Sequence, residues 1–261
     1  MKRTYYCAAL ALAATTGLAQ ADGFINGGFE NGNTNDWTSG QGFRGHTLNS
    51  ALGPSQLLPG GSLYSGPATR SAIISAGTLD PRIGAALGST VYAGHYSYRV
   101  EDTAVGGYAS AISQSVSNYT EANIFFAWKA VLQNGGHVDT QSAAMFLTLR
   151  DDTTGTQLLS RFYNAGQGGG GVDGRFTQQG NIFYTSAWQI EQLAIDSSLA
   201  GHDFTLSLAA ADCYPTAHTG YVYLDGFGGV APAVPEPASY AMLLGGLGLI
   251  GCMARRLKSR A

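Results

Sequence analysis

A cysteine and a histidine lie five residues apart near the end of the chain, in the run DCYPTAH that begins at Asp212. An imidazole beside a thiol can activate it as a nucleophile or share a soft metal ion with it. Structural zinc sites usually have four ligands in closely spaced pairs, whereas Cys213 and His218 supply one pair. We therefore favour a structural loop that starts at Asp212, with Cys213 as a buried thiol and His218 pinning the loop through a hydrogen bond.

Two carboxylates belong to motifs at the two ends of the central region. The opening run NGGFENG starts at Asn26 and contains Glu30, and the closing run GYVYLDGF starts at Gly220 and contains Asp225. Together these runs resemble the first and last strands of the galactose-binding-like jelly roll, a fold common among carbohydrate-binding modules. The resemblance implies a structural Ca²⁺ held by Glu30 and Asp225, with oxygens around Asn26–Gly28.

The residues permit such a site, because Ca²⁺ takes six to eight oxygen ligands and several can come from the backbone. In the closing run, the two-residue period of a strand places Asp225 on the side of Tyr221 and Tyr223. If Val222 and Leu224 fill the core, Asp225 points to a face where a ligand could bind. The alternative is that Glu30 and Asp225 are ordinary carboxylates at a turn or a strand end.

The elements between these motifs are predicted to be β-strands. Short alternating or apolar runs are separated by Gly, Asn and Asp, which is typical of a sandwich or barrel. We predict an all-β fold, a β-sandwich of the jelly-roll type over residues 22–230, with a long irregular loop between Gly40 and Gly66. The predicted strands are Ser71–Ser75, Thr90–Val100, Tyr108–Val116, Ile124–Leu132, Ala143–Arg150, Gln157–Tyr163, Ile182–Tyr184, Ala187–Ile195, Phe204–Ala210 and Gly220–Phe227.

Two of these strands alternate clearly between apolar and polar residues. In one, Met145, Leu147 and Leu149 share a side, and in the other Phe204, Leu206 and Leu208 do so. The run DDTTG that starts at Asp151 is suited to a hairpin turn, since Asp can cap the backbone and Gly accepts a positive φ.

The start of the chain is typical of a secretory signal peptide. Lys2 and Arg3 precede an apolar run from Tyr5 to Leu18, and the sequence AQA that ends at Ala21 is a small-x-small cleavage site. We predict that residues 1–21 direct export through the Sec translocon and are removed by signal peptidase.

The end of the chain combines a short motif, an apolar stretch and a basic cluster. The triplet Pro235, Glu236 and Pro237 closes a Pro-rich linker over residues 231–237, and residues 238–254 carry no charge. That stretch is near the lower limit of about 17 residues for a transmembrane helix. The basic residues that follow, in the segment 255–261, favour the cytoplasmic side; they are Arg255, Arg256, Lys258 and Arg260.

This arrangement resembles the PEP-CTERM sorting tail of Gram-negative bacteria. The resemblance implies that an exosortase-type membrane protease recognises the tail, removes it and releases the domain to the cell surface or the medium after transient anchoring in the inner membrane. The alternative is a plain C-terminal membrane anchor.

The charge balance excludes some partners. The chain holds 14 basic and 17 acidic residues, and the two terminal segments contain six of the basic residues but one of the acidic residues, Glu236. The central region is therefore acidic, which argues against binding nucleic acid or an anionic membrane.

These observations lead to three functional hypotheses. The favoured one is an exported, non-enzymatic protein of the cell envelope or extracellular polysaccharide matrix that binds glycan. The second is a purely structural or adhesive matrix protein, and the third, less favoured, is a secreted hydrolase.

Overall fold

The computed structural model describes residues 23–167, 170–214 and 217–229. The predicted signal peptide, Pro-rich linker, transmembrane helix and basic tail therefore lie outside the described residues. Within those residues, no helix combines the length and the apolar character needed to cross a membrane.

The described part of the chain is built almost entirely from strands. One short helix, α1 (Pro54–Leu57), and 3-10 turns at Asn49–Ala51 and Ala85–Leu87 lie between them. The strands are β1 (Thr38–Phe43), β2 (Ala72–Ser75), β3 (Tyr96–Val100), β4 (Tyr108–Tyr119), β5 (Asn123–Gln133), β6 (Ala144–Asp151), β7 (Thr156–Asn164), β8 (Thr177–Gln179), β9 (Ile182–Tyr184), β10 (Gln189–Ala194), β11 (His202–Ala211) and β12 (Gly220–Gly229).

The strands form two antiparallel sheets that pack face to face. The first sheet has the order β1-β4-β11-β6-β7, and the second has the order β2-β3-β12-β5-β9-β8, with β10 also paired to β5. Neighbours such as β4 and β11 are far apart in sequence, so the chain crosses repeatedly from one sheet to the other. The predicted all-β sandwich is confirmed.

The main core lies between the inner faces of the two sheets. Met145, Leu147 and Leu149 of β6 are fully buried there. The alternating apolar residues of β11 and Val222 and Leu224 of β12 belong to the same cluster. The two-residue period thus predicted correctly which side of each strand enters the core.

The hairpin between β6 and β7 also forms as predicted. Asp151 pairs with Thr156 across the turn, and its carboxylate accepts hydrogen bonds from the N–H groups of Thr153 and Thr154. Gly155 has a φ of +74°, a conformation that costs glycine little.

β1 and β8 were not among the predicted strands, and the predicted strand Thr90–Val100 is confined to its second half, β3. The sequence of β1 is TSGQGF, whose glycines suggest a loop. Here they make room for the segment that follows. A Cβ on Gly40 would lie 2.0 Å from the carbonyl oxygen of Leu57, so only glycine allows the covering segment to lie this close to the strand.

Candidate functional site

The outer face of the five-stranded sheet is divided into a covered half and an open half. Leu57 of α1, together with Leu52, packs onto small side chains of β4 and β11 and onto Phe146 of β6. The small residues are Ala109, Ala111, Ala209 and Ala211. The cover ends where the outward residues of the same strands change from alanine to serine and threonine.

The open half is a groove of about 380 Å³. Its floor comes from β4, β11, β6 and β7, and one wall comes from α1 and the residue after it. Almost all of the lining side chains are polar. The groove is lined by Pro54, Ser55, Leu58, Ser113, Thr148, Arg150, Asp152, Gln157, Thr205 and Ser207.

Hydroxyl groups run across the floor from strand to strand. The Ser113 and Ser207 hydroxyl oxygens are 2.7 Å apart, and the Ser207–Ser113 pair follows the β11–β4 register. The Thr205 hydroxyl donates to Oδ2 of Asp152 at 2.5 Å, and the Ser115 hydroxyl oxygen is 2.6 Å from that of Thr205. These bonds fix the orientation of the floor before any ligand arrives.

Longer and more accessible groups lie in the groove and beside it. Arg150 is exposed, and its Nε lies 3.5 Å from Oδ1 of Asp152. On β7, Phe162 is 46% exposed and stacks on Phe146 with ring centroids 5.0 Å apart and planes at 28°. Phe162 lies two residues along from Ser160, which pairs with the groove residue Thr148.

This set of groups matches what sugars require. Hydroxyl, amide, guanidinium and carboxylate groups exchange hydrogen bonds with ring hydroxyls, and an exposed aromatic ring offers an apolar face for stacking. Because Arg150 and Asp152 balance each other, the groove has no net charge.

The sequence motifs that contain Glu30 and Asp225 come together on the second sheet. The Phe227 N–H donates to the carbonyl of Gly27 at 2.9 Å, which pairs the opening run with β12. Gly28 lies between the two acids: a Cβ there would be 3.6 Å from Oδ1 of Asp225 and 3.7 Å from Cγ of Glu30.

Both carboxylates bind the same segment, residues 92–96. Oδ2 of Asp225 accepts N–H bonds from Tyr92 at 2.7 Å and Ala93 at 3.0 Å, and Oδ1 accepts from Gly226 at 2.7 Å. The Glu30 carboxylate accepts from the N–H groups of His95 and Tyr96, each at 3.0 Å. Main-chain donors therefore hold both acids in place.

The two acids differ in how their protonation is affected. Burial raises the pKa of Asp225 to about 6, against the effect of its three N–H bonds, and the charge of Glu30 adds to the rise. For Glu30, the hydrogen bonds from Tyr96 and His95 outweigh the effect of burial and lower the pKa. Carboxylate oxygens are among the ligands that Ca²⁺ prefers, and the charge of Glu30 acts on Asp225.

Cys213 and His218 are in direct contact. The Cys213 N–H donates to the carbonyl of His218 at 2.9 Å, and the Cys213 Sγ is 3.3 Å from Nδ1 of His218. The buried carboxylate of Asp212 accepts N–H bonds from Tyr108 and Gly220. Burial, assisted by the charge of Glu101, raises the pKa of Asp212 to about 8.

A third side chain, His137, lies beside Cys213 and His218, and it is not among the site residues predicted from the sequence. Its ring centroid is 5.2 Å from that of His218.

The groove residues are also absent from the sequence-based candidates. Their signal is the run of Ser and Thr on the outer side of β4, β6 and β11, but it becomes meaningful only when these strands are known to be neighbours.

Residues 233–260 match the PEP-CTERM protein-sorting motif, so the chain carries this motif, as predicted from Pro235, Glu236 and Pro237. The motif implies processing by an exosortase, export, and membrane anchoring by the C-terminal region. None of the curated proteins with which the sequence was compared matches it.

Several solved structures are similar to this chain. The carbohydrate-binding module TmCBM61, in complex with β-1,4-galactotriose, is 12% identical over 79% of this chain and 96% of that chain, with a TM-score of 0.41. CBM28, a carbohydrate-binding module specific for non-crystalline cellulose, is 13% identical over 80% and 96%, with a TM-score of 0.37. The enzymatically active domain of bacteriophage CBA120 tailspike protein 4 is 11% identical over 78% and 20%, with a TM-score of 0.35.

Proposed function

We propose that this chain is an exported, non-enzymatic jelly-roll β-sandwich that binds a glycan in the cell envelope or extracellular polysaccharide matrix. The observation that carries the proposal is the groove on the five-stranded sheet, whose floor is made of hydroxyl groups. The exposed ring of Phe162 lies beside it on β7, two residues from Ser160, which pairs with the groove residue Thr148. The sorting motif supports the location, because it belongs to proteins that are exported.

The expected ligand is a neutral polysaccharide. The groove contains one guanidinium and one carboxylate, from Arg150 and Asp152, which pair with each other. An anionic chain would meet no excess of positive charge there, and the acidic central region would repel it. The groove volume falls within the range of about 300–1,000 Å³ that is typical of small-ligand sites.

The placement of the carboxylates favours a binding role over glycoside hydrolysis. Glycoside hydrolysis usually needs two carboxyl groups that flank the scissile bond, and among the described residues that line the groove Asp152 is the one carboxylate. The adjacent acids Glu101 and Asp102 both bind Arg70, and Asp151 is occupied by its turn.

Replacing Phe162 tests the proposal. We expect Phe162→Ala to bind the polysaccharide of the producing cell roughly tenfold more weakly, about 1.4 kcal/mol, because a stacking face is lost. Affinity electrophoresis in gels that contain this polysaccharide measures the change. The matched control is Phe43→Ala, since Phe43 is 52% exposed and lies on β1, at the opposite edge of the same sheet.

Each result has a distinct meaning. Equal weakening in both variants would contradict a role for the groove. Absence of binding by the wild-type protein would favour a purely structural or adhesive matrix protein, and release of shortened sugar chains would favour a hydrolase.

A further inference from the structure

Three side chains with nitrogen or sulfur donors converge at one end of the sandwich. They are His137, on the loop after β5, and Cys213 and His218, on the loop between β11 and β12. One potential ligand atom from each lies within 4.8 Å of the others. The sequence places His137 more than seventy positions from Cys213, so only the fold shows the triad.

The spacing of these atoms suits a tetrahedral ion. Zinc binds sulfur at about 2.3 Å and imidazole nitrogen at about 2.0–2.1 Å, which places a sulfur and a nitrogen ligand about 3.5 Å apart. The Cys213 Sγ is 3.3 Å from Nδ1 of His218. Open zinc sites in proteins commonly use three protein ligands, the number found here.

The two loops are held together without help from an ion. The Gln133 N–H donates to the carbonyl of Thr219 at 2.9 Å, and the Thr219 N–H donates back to Oε1 of Gln133 at 3.3 Å. Gly135 gives the two imidazoles the space to approach, since a Cβ there would lie 2.1 Å from Nδ1 of His218 and 2.7 Å from Cδ2 of His137.

One ring nitrogen in this cluster has no hydrogen bond. Nε2 of His137 is buried and finds no partner among the residues that the structure describes, which is costly for a polar atom.

We propose that His137, Cys213 and His218 form a zinc-binding site. A thiolate with two imidazoles is a donor set for zinc and related soft ions, whereas Ca²⁺ and Mg²⁺ take oxygen ligands. This site is therefore chemically separate from Glu30 and Asp225, and it lies outside the residues that line the groove.

Cobalt provides the probe, because a thiolate bound to Co²⁺ gives an intense charge-transfer absorption in the near ultraviolet. The full-length protein in detergent is stripped with a chelator, exchanged into metal-free buffer and titrated with Co²⁺. We expect this absorption to saturate at one equivalent, to disappear when Zn²⁺ is added, and to persist when Ca²⁺ is added. Absence of the absorption in the wild-type protein would overturn the proposal.

Variants assign the absorption to the triad. Cys213→Ser should lose it, while Cys7 and Cys252 remain as internal controls. His95→Gln, at an exposed histidine beside Glu30, should keep it. An unchanged absorption in Cys213→Ser would overturn the proposal.

A second variant covers the case in which Cys213→Ser fails to fold, as judged by circular dichroism. His137 lies on a half-exposed loop, so His137→Gln is expected to fold. Weaker Co²⁺ binding in His137→Gln supports the site, and an unchanged affinity overturns it.

Discussion

Lys129 is an ammonium group inside the second sheet, with 1% of its surface exposed. Its Nζ donates to the carbonyls of Leu87 at 2.7 Å and Ser89 at 3.0 Å. Burial lowers the pKa of Lys129 to about 8, although the charge of Asp80 acts in the opposite direction. Because burial disfavours the charged form, the native state releases this proton at a lower pH than the unfolded chain. The neutral amine keeps both hydrogen bonds.

The pH dependence of stability follows from this difference. Below pH 8 the lysine is charged in both states, and the native state bears the full cost of burying the charge. Between about pH 8 and the ordinary value of 10.5, unfolding takes up a proton, so the free energy of unfolding rises with pH.

We predict that, between pH 8 and pH 9.5, the free energy of unfolding of the wild-type protein rises by about 2 kcal/mol relative to that of Lys129→Met. Urea unfolding of both proteins at the two pH values measures this gain. Methionine fills a similar volume without titrating, so effects of tyrosines and other groups cancel in the comparison. Parallel pH profiles for the two proteins would contradict the assigned pKa.

At the scale of elements, the first and last runs of the sandwich are joined through one segment. Glu30 precedes β1, Asp225 belongs to β12, and both bind backbone N–H groups of residues 92–96. An ion shared by the two carboxylates would tie these three elements together and would also reduce the repulsion between the acids. Calcium at this position stays a prediction.

If calcium binds there, chelation should destabilise the fold. We predict that EDTA lowers the thermal midpoint by about 5–10 °C, the shift expected for losing a ligand at 100-fold its dissociation constant. Added Ca²⁺ should restore the midpoint and added Zn²⁺ should not. This difference separates the calcium site from the zinc-binding site proposed at Cys213. Glu30→Gln should show neither effect, and an unchanged wild-type midpoint in EDTA would exclude calcium.

The elements differ in how far the sequence predicts them. Alternation in β6 and β11 depends only on neighbouring residues, so it correctly placed Leu147 and Leu206 in the core. The groove needs β4, β11 and β6 side by side, and this pairing is set by packing between distant segments. β1 was not predicted because Gly40 and Gly42 suggest a loop, whereas in the structure these glycines make room for the segment that covers the strand. His137 was not predicted as a site residue because Cys213 and His218 lie in another loop.

At the scale of the whole molecule, the sorting motif and the groove lie in separate parts of the chain. β12 ends at Gly229 and the sorting motif begins at residue 233, so only a few residues join the domain to the motif. The open groove lies on the outer face of the five-stranded sheet, whereas β12 belongs to the other sheet. A glycan could therefore bind without contact with the strand that leads to the tail.

The affinity of the groove for the polysaccharide of the producing cell tests this account most directly. Arg150 is an exposed groove residue 3.5 Å from Asp152, and Arg175 is a partly exposed arginine 3.2 Å from Asp173 and away from the groove lining. Isothermal titration with fragments of that polysaccharide compares Arg150→Ala with Arg175→Ala. The account predicts about tenfold weaker binding for Arg150→Ala and wild-type affinity for Arg175→Ala; equal affinities in the two variants would contradict it.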